Sequence, residues 1–206
     1  MAAERSIREI ENAIEHHRQA IARLEQELAH DEGSTAVWPP TGFYATYYLV
    51  AGLMLGTMGA INGFLFNLVG SFVVNQDPML VLRVLGTFFI GKSALTTHDM
   101  TFLMLVMLTH LVVGAVAGAL FHLVLNLLWP RLSGLGLLLV SVGFGVLLWI
   151  VTFYGVIAWL QPMLVGQAYI LQMMPIWVAL LTHVVYGLTL GLLQPMGRFV
   201  PYNPPA

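Results

Sequence analysis

The segment LTHLVVGAVAGAL at residues 108–120 occurs a second time, as LTHVVYGLTLGLL, at residues 181–193. The two copies lie 73 positions apart and are identical at seven of thirteen positions. A segment repeated in this way indicates an internally repeated architecture. In membrane proteins such repeats are built from hairpins of spanning helices. The positions that match include one histidine and two glycines in each copy: His110 and His183, Gly114 and Gly187, Gly118 and Gly191.

The composition predicts an integral membrane protein preceded by a polar arm. The chain has 206 residues, of which 58% are hydrophobic and 9% are charged, whereas a soluble domain has about 25% charged residues. Twelve of the 18 charged side chains (8 basic and 10 acidic) fall within residues 1–32.

The net charge of -2 gives no reason to expect a nucleic-acid partner. The lack of cysteine excludes disulfides, thiolate catalysis and Fe–S clusters.

Residues 1–33 are predicted to form an amphipathic helical arm. Its apolar residues alternate at spacings of three and four, which is typical of a coiled-coil seam. Two interpretations follow from this pattern: a surface helix lying on its own membrane domain, or a coiled-coil arm that docks a partner subunit. The apolar series, interrupted only by His17, consists of Ile7, Ile10, Ile14, Ile21, Leu24 and Leu28.

Residues 43–195 are predicted to form a transmembrane domain of four helices, because about 20 apolar residues suffice to cross a bilayer. The fold class is therefore all-α and integral to the membrane. Spans two and four point the same way, so the hairpin of spans one and two matches the hairpin of spans three and four as a parallel repeat. The predicted spans are 44–68, 100–128, 135–160 and 175–193, with a short interfacial or re-entrant helix near 78–90, a loop at 161–174 and a proline-rich tail at 196–206.

The distribution of basic residues predicts the orientation of the spans. Arginines in the arm, Arg131 and Arg198 fall on the side that holds both termini, and only Arg83 and Lys92 fall on the other side. Basic residues concentrate in cytoplasmic loops. We therefore expect a multi-pass protein of the bacterial inner membrane with both termini in the cytoplasm.

The first span has a face of small residues. Gly52, Gly56, Gly59 and Gly63 recur at helical spacing, and Asn67 continues the same face. Small residues allow helix backbones to approach closely in lipid. We therefore expect this face, like Gly114, Gly118, Gly187 and Gly191 in the repeated segments, to be a helix-packing surface.

His110 and His183 are predicted to lie at matched depth near the middle of the membrane. Three interpretations remain open: a structural pair that forms hydrogen bonds across the bundle, the axial ligands of a b-type haem or a chlorin, or part of a proton or ion path. In the haem interpretation Gly114 and Gly187 leave room for the macrocycle, and Arg83 and Lys92 are the candidates for pairing propionates. No metal site is assigned. His98, beside Asp99, is interpreted as a solvated cap at the interface, with a metal or quinone-head contact as the alternative, and no role is assigned to His122.

The sequence lacks the motifs of a catalytic centre. It has no carboxylate within a span, no H-E-x-x-H motif and no phosphate-binding glycine loop. We therefore expect a non-catalytic accessory subunit of a multi-subunit membrane complex, with an electron-transport complex as the first candidate. Its partners would be the lipid bilayer and other subunits. The alternatives are a haem- or pigment-binding subunit, with haem b as its cofactor, and a small transporter or channel.

The closing segment HVVYGLTLGLL at residues 183–193 resembles the uncharacterised four-span bacterial membrane proteins of the YagU-like type. These proteins have similar ends rich in histidine and glycine. The resemblance covers spans two to four and leaves the arm outside. It implies a four-span fold and brings no assigned chemistry.

Overall fold

The computed structural model describes residues 14–26, 41–73 and 76–199. Every regular element in these ranges is helical, which confirms the predicted all-α class. The chain divides into two units, Met1–Phe43 and Tyr44–Ala206. The helices are α1 (14–26), α2 (Thr41–Val73), α3 (Leu80–Ile90), α4 (Met100–Leu128), α5 (Gly134–Ile150), α6 (Ala158–Val165), α7 (Tyr169–Met173) and α8 (Ile176–Leu193).

Helix α1 contains the described part of the arm. Within its own unit it leaves the side chains of Ile14, Ile21 and Leu24 about half exposed, at 48%, 55% and 58%. Gln19 donates a hydrogen bond of 3.4 Å to Glu15 one turn earlier. Ile7, Ile10 and Leu28 lie outside the described residues, and coiled-coil pairing stays a prediction.

Four helical stretches in the described part of the chain are long and apolar enough to cross a membrane, which confirms the predicted number of spans. They are apolar over most of their surface, and many large side chains on the outside of the bundle are exposed, as lipid-facing residues are. The stretches are Ala45–Val73, Met100–Leu128, Gly134–Val165 and Ile176–Gly197.

The third stretch is longer than predicted and is not a uniform α-helix. A π-helical segment, Val151–Ile157, joins α5 to α6. The helix then continues through Pro162, whose carbonyl accepts a hydrogen bond of 2.9 Å from the backbone N–H of Gly166. Gly166 has φ +84°, a conformation that glycine adopts without steric cost, and the helix ends there. The predicted loop at 161–174 is thus mostly helical, since α7 follows directly.

Helix α3 covers one end of the four-span bundle. Its 11 residues extend only about 16 Å, too short to cross a bilayer. It packs against α4, α6 and α7, and its inward face buries Leu82, Val84 and Thr87. A 3₁₀ turn, Gly91–Thr96, leads from α3 towards α4. Asp99 then caps α4, with its carboxylate accepting from the N–H groups of Thr101 and Phe102.

Helices α2 and α4 pack through glycine. A Cβ atom added at Gly56 would meet the carbonyl oxygen of Gly114 and lie 2.8 Å from the Cα of Gly118. One added at Gly52 would lie 2.6 Å from the Cα of Ala119. These distances are too short for any Cβ, so the two backbones touch, as small residues permit.

Helices α5 and α8 pack in the same manner. A Cβ at Gly187 would meet the carbonyl of Ser141 and lie 2.9 Å from the Cα of Val142. One at Gly191 would lie 3.0 Å from the side chain of Leu138. The glycines of each repeated segment therefore contact the span that precedes them. Whether the two hairpins are symmetry-related copies stays a prediction.

Helix α2 joins the two hairpins through its contacts with α8. A Cβ at Gly59 would lie 2.8 Å from the ring of Tyr186, and one at Gly63 would lie 3.2 Å from the methyl of Thr182. The amide of Asn67 donates a hydrogen bond of 2.8 Å to the Thr182 hydroxyl. Gly52, Gly56, Gly59 and Gly63 are thus all used inside the bundle.

Candidate functional site

A cavity of about 460 Å³ lies among the four spans and is bordered at one end by α3 and α7. Both His110 of α4 and His183 of α8 line it. Their positions follow from the packing described above, because each histidine lies one turn before a glycine that presses its helix against a neighbour. The structure thus brings the two predicted site histidines to a single cavity.

The ring of His183 is held in one orientation. Its Nδ1 lies 2.8 Å from the carbonyl oxygen of Ala179 one turn earlier. A carbonyl only accepts hydrogen bonds, so Nδ1 carries the proton. Phe153 of the π-helical segment packs edge-on against the ring, with centroids 5.9 Å apart. In the neutral ring Nε2 is therefore an acceptor with a free lone pair, and no described residue forms a hydrogen bond with it.

His110 also has a nitrogen without a partner. Its Nε2 is buried and makes no hydrogen bond to any described residue. The ring lies close to the backbone of Ala60 in α2, whose Cβ fills the space beside Gly114. Leaving a buried nitrogen without a hydrogen bond costs free energy. A polar ligand atom would therefore be favoured at this part of the cavity wall.

The other polar side chains of the cavity already have acceptors for their protons. Each threonine hydroxyl donates to the carbonyl one turn earlier in its own helix, and Tyr186 donates to α4. The bonds are Thr109 to Leu105 (2.9 Å), Thr152 to Leu148 (2.7 Å), Thr182 to Val178 (2.8 Å) and Tyr186 to Gly114 (2.7 Å).

The cavity communicates with the outer surface of the bundle. Val113 of α4 and Phe89 of α3 line it, yet they are 54% and 48% exposed. Phe153, Val156 and Ile157 of the π-helical segment form another part of its wall. Departures from α-helical geometry of this kind occur frequently at functional sites. Because the surrounding surface is apolar, the opening faces the side of the bundle where lipid would lie.

The predicted room for a haem beside the glycines is taken by protein. A Cβ at Gly114 would lie 2.5 Å from the Cβ of Ala60, and Gly187 contacts the backbone of α5. Arg83, a predicted propionate partner, is engaged elsewhere: it bonds to the Asp77 carboxylate at 2.5 Å and to the Thr97 carbonyl at 3.0 Å. The two imidazoles remain the type of side chain that ligates haem iron, and Lys92, the other predicted propionate partner, is exposed. Haem binding stays a prediction without structural support from these positions.

His98 belongs to the Arg83 network. Its Nδ1 lies 3.3 Å from Nη2 of Arg83. Among the residues that the structure describes, no group of three or more histidine, aspartate or glutamate side chains could hold a metal ion. The His98 ring therefore contacts the arginine side chain on the exposed side of this network.

His122, to which the sequence assigns no role, holds the C-terminal segment against the bundle. It is completely buried, with Nδ1 2.7 Å from Oε1 of Gln194 and Nε2 3.0 Å from the carbonyl of Gly197. Gln194 and Gly197 bound a 3₁₀ turn that follows α8. A Cβ at Gly197 would lie 2.7 Å from the His122 ring. His122 is therefore a packing residue at the end of the bundle opposite α3.

Gln161 is a second buried polar residue that the sequence gives no reason to select. Its amide nitrogen donates a hydrogen bond of 3.0 Å to the Thr87 hydroxyl of α3. Its amide oxygen accepts a hydrogen bond of 3.1 Å from the backbone N–H of Ile170 in α7. It is fully buried. Gln161 thus links α6 to the two helices that border the cavity at this end. A lone glutamine near a proline carries no sequence signal for that role.

Comparison with protein-family models, with curated proteins and with solved structures finds no match for this chain. The resemblance to YagU-like proteins therefore stays a prediction.

Proposed function

We propose that this chain is a non-catalytic membrane subunit that holds a small apolar molecule in the cavity of His110 and His183. The observation that supports the proposal is the cavity itself: about 460 Å³ lies within the 300–1,000 Å³ range typical of ligand pockets. Its wall is apolar, with a few polar groups that converge from different helices. Such a combination is the usual form of a small-molecule site.

The lateral opening supports access from the bilayer. An apolar molecule dissolved in the membrane would meet Val113 and Phe89 at the outer surface and continue inward towards the histidines. At the α3 end, buried hydrogen bonds link Gln161 to the Thr87 hydroxyl and to the backbone N–H of Ile170. A ligand that partitions into lipid is therefore the kind of molecule this site would receive.

Binding of an apolar probe tests the proposal. The full chain in lipid nanodiscs, labelled at isoleucine, leucine and valine methyl groups, is titrated with 2-methoxynaphthalene and followed by NMR. We expect the methyl signals of Val106 and Ile170, which line the cavity, to shift and saturate. Signals of lipid-facing residues such as Leu139 should change only linearly, through partitioning of the probe into the bilayer.

A matched pair of variants separates the cavity from the surface. Val113→Phe adds bulk at the cavity wall, whereas Val112→Phe adds the same bulk at a neighbouring residue that is 53% exposed and does not line the cavity. We expect Val113→Phe to abolish saturable binding and Val112→Phe to preserve it. Equal binding by both variants, or no saturable shift in the unmodified protein, would contradict the proposal.

We further propose that the subunit docks a partner through its arm. The subunit would then belong to a larger membrane complex, with an electron-transport complex as the first candidate. The observation behind this is the exposed apolar series Ile14, Ile21 and Leu24 on α1. A single helix of this length is marginal in water unless its apolar face is covered. A partner helix would cover it.

Substitutions on the arm test the docking proposal. Ile14→Asp with Ile21→Asp should abolish co-purification with partner subunits from native membranes, while the four-span bundle still inserts. Gln19→Asp with Gln26→Asp adds the same two charges on the side of the helix away from the apolar series and serves as the control. If the isoleucine variant co-purifies with its partners in full yield, the arm is not the docking element.

A further inference from the structure

The hydrogen-bond inventory of the cavity restricts what the ligand can be. The hydroxyl groups of the lining threonines and of Tyr186 donate to backbone carbonyls. Both protons of the Asn67 amide are used as well, since Nδ2 lies 2.9 Å from the Gly63 carbonyl and 2.8 Å from the Thr182 hydroxyl. These side chains have no proton left to offer to a ligand.

The ring nitrogens that remain without a hydrogen-bond partner belong to the two histidines. Because the Nδ1 proton of His183 is directed to Ala179, its Nε2 offers a lone pair. The Nε2 of His110 is buried and without a partner among the described residues. A ligand that brings its own donor would satisfy the Nε2 lone pair of His183. A ligand that offers only acceptors, such as an ether or a ketone, would leave the His183 lone pair unpaired at a cost.

The charge and shape of the wall restrict the ligand further. None of the described residues that line the cavity is a lysine, arginine, aspartate or glutamate. An ionised ligand would therefore be buried without a countercharge, which is expensive. Five aromatic side chains line the cavity and favour edge-to-face or offset contacts with another ring: Phe64, Phe88, Phe89, Phe153 and Tyr186.

Building on the proposed function, we infer that the ligand is a neutral phenol-type molecule, an apolar aromatic ring with a hydroxyl group whose proton is accepted by Nε2 of His183. The aromatic ring occupies the space among the phenylalanines. The His183 ring is already oriented by Ala179 and Phe153, so little conformational freedom is lost when the hydrogen bond forms. Nε2 of His110 provides a second polar anchor in the same cavity.

A pair of probes that differ by one methyl group tests this inference. 2-Naphthol and 2-methoxynaphthalene have nearly the same shape, but only the naphthol can donate a hydrogen bond. The full chain in nanodiscs carries ¹⁵N-labelled histidine and labelled methyl groups, and the His183 Nε2 signal is assigned by its loss in His183→Leu. We expect both probes to shift the cavity methyl signals, but only 2-naphthol to shift the His183 Nε2 resonance. We also expect 2-naphthol to bind about tenfold more tightly.

Variants connect the affinity difference to the proposed acceptor. His183→Leu should bind both probes equally, and His183→Gln, whose side-chain carbonyl can accept, should restore part of the preference for naphthol. His98→Leu, which changes a histidine of the Arg83 network, should keep the preference in full.

The outcomes separate the two proposals. If both probes shift the cavity methyl signals but bind equally, with the His183 Nε2 resonance unmoved, the inference is overturned and the cavity remains a site for apolar molecules. If neither probe shifts the methyl signals, the proposed function fails, and the inference fails with it. A preference for naphthol that survives His183→Leu would overturn the assignment of His183 as acceptor.

Discussion

The hydroxyl of Tyr186 in α8 donates a hydrogen bond of 2.7 Å to the carbonyl oxygen of Gly114 in α4. The bond joins the two repeated segments directly, 72 residues apart. The same tyrosine ring covers Gly59 of α2, so one side chain of α8 contacts two other spans. It also lines the cavity between the two histidines' helices.

Tyr186→Phe should destabilise the bundle modestly. The phenylalanine keeps the ring against Gly59, and Gly114 loses only one of its partners, so we expect a loss of about 0.5–1.5 kcal/mol. The measurement is thermal or SDS-induced unfolding in detergent. Tyr154→Phe is the control, because Tyr154 is about half exposed and its ring makes an edge-on contact with Trp149. A larger loss for the control than for Tyr186→Phe would contradict the assigned role.

Gly56→Ala should weaken the contact between α2 and α4. The added methyl would meet the Gly114 carbonyl, so the two backbones must separate, at a cost of about 1–3 kcal/mol. Gly143→Ala is the matched control, since a Cβ there has nothing within 4 Å. In the same unfolding assay it should be neutral or slightly stabilising because alanine favours the helix. Equal stability of the two variants would show that the glycine contact is not tight.

His122→Ala should release the C-terminal segment. The carbonyl of Gly197 and the amide of Gln194 would lose their buried partner, which costs roughly 1–3 kcal/mol. Trypsin cleavage after Arg198, which is half-buried and bonded to the Leu132 carbonyl, should then accelerate about tenfold or more. Cleavage after the exposed Arg131 provides the internal control and should keep its rate. Equal acceleration at both sites would indicate general unfolding instead.

Single cysteines test the predicted orientation, since the chain has none of its own. Ser93 in the 3₁₀ turn after α3 and Ser133 before α5 are both exposed. If the termini are cytoplasmic, as the basic residues predict, a membrane-impermeant maleimide should label Ser93→Cys in intact cells. Ser133→Cys should react only after the cells are permeabilised. The reverse pattern would invert the topology.

Much of the architecture could be predicted from the sequence because it depends on local properties of the chain. Long apolar runs determine where a helix can cross a bilayer, and α4 has the predicted bounds, Met100–Leu128. Asp99 before α4 is an N-cap by residue type alone. The third span was predicted less well, because a loop was expected from residue 161, whereas α6 continues to Val165. The helix ends instead at Gly166, where a positive φ is available.

What only the tertiary structure decided are the relationships among side chains far apart in the chain. The repeat draws attention to His110 and His183, yet their common cavity is lined by residues of α2, α4, α5, α8 and the π-helical segment. No local sequence pattern predicts that these residues meet. The sequence gives no reason to select His122, because its partner Gly197 lies 75 residues later in the chain and meets it only in the folded structure. Helix formation depends on neighbours in sequence, whereas a cavity and a buried hydrogen bond depend on which helix faces meet.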